Sequence, residues 1–333
     1  MSQAFIELAL FASKALILLI IILIIFIAFF ALLMKSKEKL KGRLVIKNFN
    51  KKYQETTEML LLETLSKKQF KSYLKQKKSE NKLKRNLDNK EKYLYVLNFQ
   101  GDIKASAVTA LREEITAILN IATPEDEVVL RMESPGGTVP GYGLAAAQLM
   151  RLRAKQIPLT ITIDKIAASG GYMMACIANK ILCAPFAIVG SIGVIVQLPN
   201  FHRLLKNKYI DFEQHTAGEY KRTITLFGEN TEAGRAKLHE EIEDIHKQFK
   251  QLITQYRQQI DIQKIATGEY WLGQQALNLK LVDVIQTSDD YLLECSKNTK
   301  IFEITYETKK SWLSKLTATA NTLLARILHA PSY

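Results

Sequence analysis

Ser169 lies in the run Ala167-Ala168-Ser169-Gly170-Gly171-Tyr172, and Lys221 follows 52 residues later in Gly218-Glu219-Tyr220-Lys221. A third run, Glu133-Ser134-Pro135-Gly136-Gly137, precedes both. A serine hydroxyl is a poor nucleophile until a neighbouring base takes its proton. Lysine can be that base if burial disfavours its ammonium form and lowers its pKa from about 10.4 toward neutrality. The small neighbours Ala168 and Gly170 leave space for a substrate carbonyl. A helix opening there would aim unpaired backbone N–H groups at a developing oxyanion. Gly170 N–H is the natural first donor, and Gly136 or Gly137 could bring a second, because glycine permits close backbone approach. The chemistry these residues would support is acyl transfer through a serine.

Taken singly, the same residues have plainer readings. Small residues are common at helix starts, Ser-Pro-Gly-Gly is an ordinary turn, and the serine lacks the Gly-x-Ser-x-Gly elbow of the α/β-hydrolases. A lysine among 46 Lys and Arg residues is ordinarily a solvated charge. Of the five histidines, His239 and His246 fall on a charged helical stretch and His329 near the tail. His202 and His215 fall in the right region, so a histidine base stays open. Cys176, Cys183 and Cys295 form no C-x-x-C pair and read as buried thiols, with neither disulfide nor metal spacing. No cofactor and no metal is expected.

The elements that would position these groups alternate. Strand composition at 93–99, 127–132 and 159–163 is separated by helical spacing at 106–121 and 141–155, which predicts βαβ units and a mainly parallel sheet. A helix is expected to open at Ser169, with short strands at 181–184 and 192–196, a long charged helix over 232–260 and a shorter one over 273–280. Residues 311–328 read as an amphipathic helix.

Beyond a short N-terminal tail (1–14), residues 15–34 read ALILLIIILIIFIAFFALLM, with no charge, Pro or Gly. Twenty such residues reach roughly 30 Å as a helix, the hydrocarbon thickness of a bilayer. The expectation is a retained transmembrane helix rather than a cleaved signal peptide, which would want a shorter core and a small-x-small site. The net charge of +13 is concentrated next to it, since residues 35–91 hold 18 Lys and Arg against 7 Asp and Glu. This basic, helix-prone spacer suits anionic lipid headgroups better than nucleic acid, for which there are few aromatics and no recognition motif. The lysines that follow the apolar block place the large C-terminal part on the cytoplasmic side by the positive-inside rule.

Four runs in order, Ser134-Pro135-Gly136-Gly137, Ala167 to Tyr172, Gly190-Ser191-Ile192-Gly193-Val194 and Gly218 to Lys221, resemble the protease IV / signal peptide peptidase A family of serine peptidases. The anchor, the basic spacer and Asn98-Phe99-Gln100-Gly101-Asp102 resemble its single-domain SohB branch. The resemblance implies an α/β fold, a ClpP/crotonase-like spiral of ββα units over 92–290, followed by a C-terminal strand and amphipathic helix over 291–333. It implies Ser169 as nucleophile, Lys221 as general base, Ser191 as the residue orienting the lysine, and Gly137 or Gly136 with Gly170 as oxyanion hole. It further implies a homo-oligomeric ring or dome at a bacterial inner membrane, acting on signal-peptide remnants or unfolded peptides. The family's soluble part is often described as periplasmic, against the charge pattern here. One departure is Lys280, where the family has a glycine before Leu-Val-Asp, a preferred residue for a left-handed helix end. Rival readings are crotonase-type acyl-CoA chemistry on the same fold and a non-catalytic membrane scaffold.

Overall fold

The computed structural model of the chain describes residues 11, 13–24, 26, 27, 42–86 and 92–307. Contacts divide the chain into two units, one of residues 1–43 with 307–333 and one of Leu44–Tyr306.

In the first unit, residues 13–24 form helix α1, whose leucines and isoleucines are exposed. Among the described residues no helix is long and apolar enough to cross a membrane. The expected transmembrane helix over 15–34 is therefore not supported there, and its residues 25 and 28–34 lie outside the described residues. So do residues 35–41 and 87–91 of the spacer and the expected helix at 311–328.

The second unit is a mixed α/β fold. In the described part of the spacer the chain forms a strand, β1 (Arg43–Asn48), then helices α2 (Phe49–Thr64) and α3 (Lys67–Asn86). There follow β2 (Tyr93–Gln100), α4 (Val108–Leu119), β3 (Glu127–Ser134), α5 (Val139–Ala154), β4 (Leu159–Ala168), α6 (Gly170–Ala175), β5 (Lys180–Cys183) and β6 (Ile188–Gly190). The last part comprises α7 (His202–Asn207), α8 (Glu232–Tyr256), α9 (Ile262–Ile265), β7 (Tyr270–Leu272), α10 (Gly273–Asn278), β8 (Val284–Ile285), α11 (Ser288–Cys295) and β9 (Lys300–Glu307).

The sheet runs β1-β9-β2-β3-β4-β5-β8, with β6 pairing with β4 and β7 pairing with β6. The pairings β9–β2–β3–β4–β5–β8 and β4–β6 are parallel, whereas β6–β7 is antiparallel. Parallel strands covered on both faces read as continuous apolar runs, and β2 shows why. Tyr95, Leu97 and Phe99 enter the main core with Leu111, Ile115, Leu130, Leu149 and Ile161, while Leu94 and Val96 point the other way to meet Phe49, Val129, Leu292 and Ile301.

Two details of the sheet bear on the site. The β3–β4 register shifts between Met132 and Ser134. Strand β4 also pairs with β5 through residues 160–163 and with β6 through 166–168, so the sheet forks just before Ser169. The strand expected at 192–196 is not formed. The ladder with β4 ends at Gly190, whose φ of +111° turns the chain away, and residues 191–201 have no regular structure.

At the far end of α8, Arg257 is 3% exposed and makes a two-pronged contact with Asp283 at 2.9 and 2.8 Å. Asp283 also accepts the Ile181 N–H at 2.7 Å. Next to it Lys280 adopts φ +62°, the left-handed conformation that glycine would take more cheaply.

Candidate active site

Ser169 stands between the last residue of β4 and the first of α6, at φ +51° and ψ −119°. A non-glycine residue at positive φ is uncommon and carries strain. Two bonds hold it: Ser169 N–H donates to Gly190 O at 2.7 Å, and Ser169 O accepts from Met173 N–H at 2.9 Å. The side chain makes no capping bond to its own helix. Its oxygen is not consumed by the fold.

Glycines let the surrounding backbone close on this residue. A Cβ on Gly136, at φ +91°, would lie 2.7 Å from both Ala168 O and Ser169 Cβ and 2.8 Å from Gly170 N. A Cβ on Gly171 would lie 2.7 Å from Ser134 O, and Gly170 rests on the ring of Tyr142. The Ser-Pro-Gly-Gly turn and the start of α6 are thus in direct backbone contact.

Beneath them is a buried polar pair that the sequence reading missed. Ser134 Oγ and Tyr142 Oη are 2.6 Å apart, and Tyr142 Oη donates to Asp102 O at 2.9 Å. Both residues are fully buried. Ser134 Oγ also accepts the Gly136 N–H at 3.1 Å. Of the two glycine donors weighed for the turn, Gly136 already has a partner. Gly137 N–H and Gly170 N–H donate no hydrogen bond among the described residues. The only sequence signal for Tyr142 was an aromatic in the small-residue stretch of α5, which is as well explained by core packing.

Ser191 is half-buried at φ +52°, with its N–H bonded to Glu269 O at 2.6 Å. Beyond it the chain runs out as an arm over 191–231 before α8 begins. Lys221 lies on that arm. It is exposed, its N–H donates to Gly218 O at 3.2 Å, and no hydrogen bond joins it to Ser169 or Ser191 among the described residues. The single chain therefore brings together Ser169, Gly136, Gly137 and Gly170, with Ser191 just past the Gly190 carbonyl that holds Ser169, but not Lys221. His202 and His215 are on the same arm, and His215 pairs with exposed Glu213, at 3.5 Å. Among the described residues neither reaches Ser169 by a hydrogen bond. Burial pushes the Cys176 and Cys183 thiols up to about 12, which suits packing and not nucleophilic attack.

The arm itself is unusually apolar for its exposure. Ile195, Leu204, Tyr209, Ile210, Phe212 and Tyr220 all face solvent, Tyr209 at 97%.

Two family models match the chain: the N-terminal region of peptidase family S49 over residues 3–149 and peptidase family S49 over residues 151–301. A probable protease SohB from Haemophilus influenzae is 50% identical over 300 residues, covering 86% of this chain and 85% of its own. Another from Buchnera aphidicola subsp. Acyrthosiphon pisum is 53% identical over 242 residues, 73% of this chain and 72% of its own. Among solved structures, a membrane-bound stomatin-specific protease in complex with a substrate peptide superposes with a TM-score of 0.44 at 14% identity, covering 70% of this chain and 99% of that one.

Proposed function

The chain belongs to peptidase family S49 and is a serine peptidase, and from that premise we propose that it cleaves peptides through an acyl-enzyme on Ser169 with Lys221 as general base. The observation that carries this reading is the strained, uncapped Ser169 with the Gly136 turn packed against it and, among the described residues, no acceptor for the Gly137 and Gly170 N–H groups. Unprotonated Lys221 takes the Ser169 proton as Oγ attacks the scissile carbonyl. Gly170 and Gly137 N–H hold the oxyanion, each donor typically contributing about 3 kcal/mol in the transition state. Lys221 then protonates the leaving amine, and water releases the acyl group. Ser191 orients the lysine.

Lys221 must be drawn out of solvent for this to work, because only a desolvated ammonium yields its proton near neutral pH. The apolar side chains of the arm supply a reason to bury it, namely packing against another copy of the chain in a ring or dome. The parallel βαβ order supports a ClpP/crotonase-like spiral. The apolar run at 15–34 supports attachment to a bacterial inner membrane, with signal-peptide remnants or unfolded peptides as substrates.

The test is turnover of casein or a fluorogenic peptide, with fluorophosphonate labelling, by the full chain and by Ser169→Ala and Lys221→Ala. Both variants should lose labelling, and Lys221→Ala should lose at least about 100-fold in kcat, the usual share of a general base. Labelling that survives Lys221→Ala and vanishes in His215→Ala would replace the lysine with a histidine.

A further inference from the structure

Helix α3 carries nine cationic residues and one glutamate in 20 residues, and they are not spread evenly around it. At 3.6 residues per turn, Lys67, Lys68, Lys71, Lys75 and Lys78 fall within an arc of about 100°. All five lysines are exposed, and none has a carboxylate partner among the described residues. The other side of the helix is the one engaged with α2. Phe70 and Tyr73 are half-buried there, and Lys77 Nζ lies 3.4 Å from Glu58 Oε1 of α2. From Lys67 to Lys78 the stripe therefore faces away from α2 over about 16 Å, at about 1.5 Å per residue.

The pair is fastened at its root to the peptidase. Phe49 is 5% exposed among Leu94, Val96, Val129, Leu292 and Ile301. Asn50 Nδ2 donates to Ser296 O and Thr299 O, and Asn50 Oδ1 accepts from Ile301 N–H. Whatever binds the stripe is thereby connected to the catalytic body.

We propose that the α3 lysine stripe is a docking face for an anionic lipid surface, holding the peptidase against the bilayer independently of any segment that enters it. Aligned, unpaired lysines match a plane of phosphates. Met59, Leu60 and Leu62 of α2 also expose apolar side chains, as an interfacial helix does. The aromatic rings of α3, Phe70 and Tyr73, stack on each other on the α2 side, leaving none on the stripe to receive a nucleic-acid base. Each lysine at such a surface contributes about a five-fold gain in partitioning, screened by salt.

The experiment is lysine acetylation read by mass spectrometry on the full chain in nanodiscs of phosphatidylcholine alone or with phosphatidylglycerol added. Lys67, Lys68, Lys71, Lys75 and Lys78 should acetylate about five-fold or more slowly in the anionic discs, and high salt should abolish the difference, while Lys104 and Lys247 keep one rate throughout. Replacing Lys71, Lys75 and Lys78 by Gln should release Lys67 and Lys68 from protection without changing peptide turnover in neutral discs. Equal rates in both discs would overturn the proposal. So would protection in neutral discs by a DNA duplex exceeding that by phosphatidylglycerol, which would assign the stripe to nucleic acid.

Discussion

Gly136→Ala and Gly143→Ala add the same methyl group seven residues apart, and the structure gives them opposite consequences. At Gly136 the φ of +91° alone costs an alanine about 1–2 kcal/mol. The new Cβ would meet Ala168 O, Ser169 Cβ and Gly170 N at 2.7 to 2.8 Å, and all three are backbone or Cβ atoms that cannot rotate away. The turn must move, and with it the Gly137 N–H that the mechanism aims at the oxyanion. Losing one such donor lowers kcat about 100- to 1000-fold. At Gly143, inside α5, an added Cβ meets nothing within 4 Å, so alanine should stabilise by about 0.5–1 kcal/mol through helix propensity. For a unit of this size each kcal/mol shifts the melting midpoint by about 2–4 °C. Peptide turnover at saturating substrate, with thermal melts of both variants, tests the pair. A Gly136→Ala enzyme within five-fold of wild-type kcat (about 1 kcal/mol), or a Gly143→Ala variant that melts early, would refute the reasoning.

Three further outcomes are expected. Ser134→Ala strands the buried Gly136 N–H at a cost of about 1–3 kcal/mol, whereas Tyr142→Phe should cost less, because Asp102 O keeps the Ala105 N–H as donor. Because the two side chains share one 2.6 Å bond, the double variant should lose less than the sum, and strict additivity in denaturant melts would deny the coupling. Burial raises the Glu114 carboxyl from 4.5 to about 7, with the Tyr306 N–H pulling the other way. An acid raised in the folded state adds stability that is complete below 4.5 and lost as pH climbs through 7, a swing of about 3 kcal/mol. Glu114→Gln should flatten stability between about pH 5 and 8, and an unchanged slope would show that another group carries it. Asp283→Ala leaves Arg257, 3% exposed, without its counter-charge, and should cost about 3–5 kcal/mol in a thermal melt; a loss below 1 kcal/mol would mean that the Lys280 carbonyl suffices.

Strands β2, β3 and β4 and helices α4, α5 and α8 were readable because their apolar spacing is dictated by burial on known faces. Edge strand β1 and its neighbour β9 were harder, since charges at Arg43, Lys47, Glu303 and Glu307 dilute the apolar pattern. Ile192 to Val196 has every local mark of a strand, yet pairing is a property of neighbours, and among the described residues the backbone bonds to 268–269 stop at Ile192. At the site, residue types pointed to Ser169 and the glycines, because nucleophilic chemistry and close backbone approach each admit few side chains. The positive φ of Ser169 and the Ser134–Tyr142 bond were invisible, as they arise from contacts between elements. The solvent exposure of Lys221 in a single chain fits the plainer reading of a lysine as a solvated charge and not the buried base that the resemblance implies.

The carbonyl that fixes Ser169 belongs to Gly190, and the next peptide, at Ser191, hangs on Glu269. A ribosome that has delivered the serine has still to deliver a hundred residues before that chain of bonds can close. Until β7 emerges, the Gly190–Ser191 segment that anchors the nucleophile lacks its own support from Glu269. Fragments released by premature termination or nicking upstream of residue 269 should therefore be harmless bystanders.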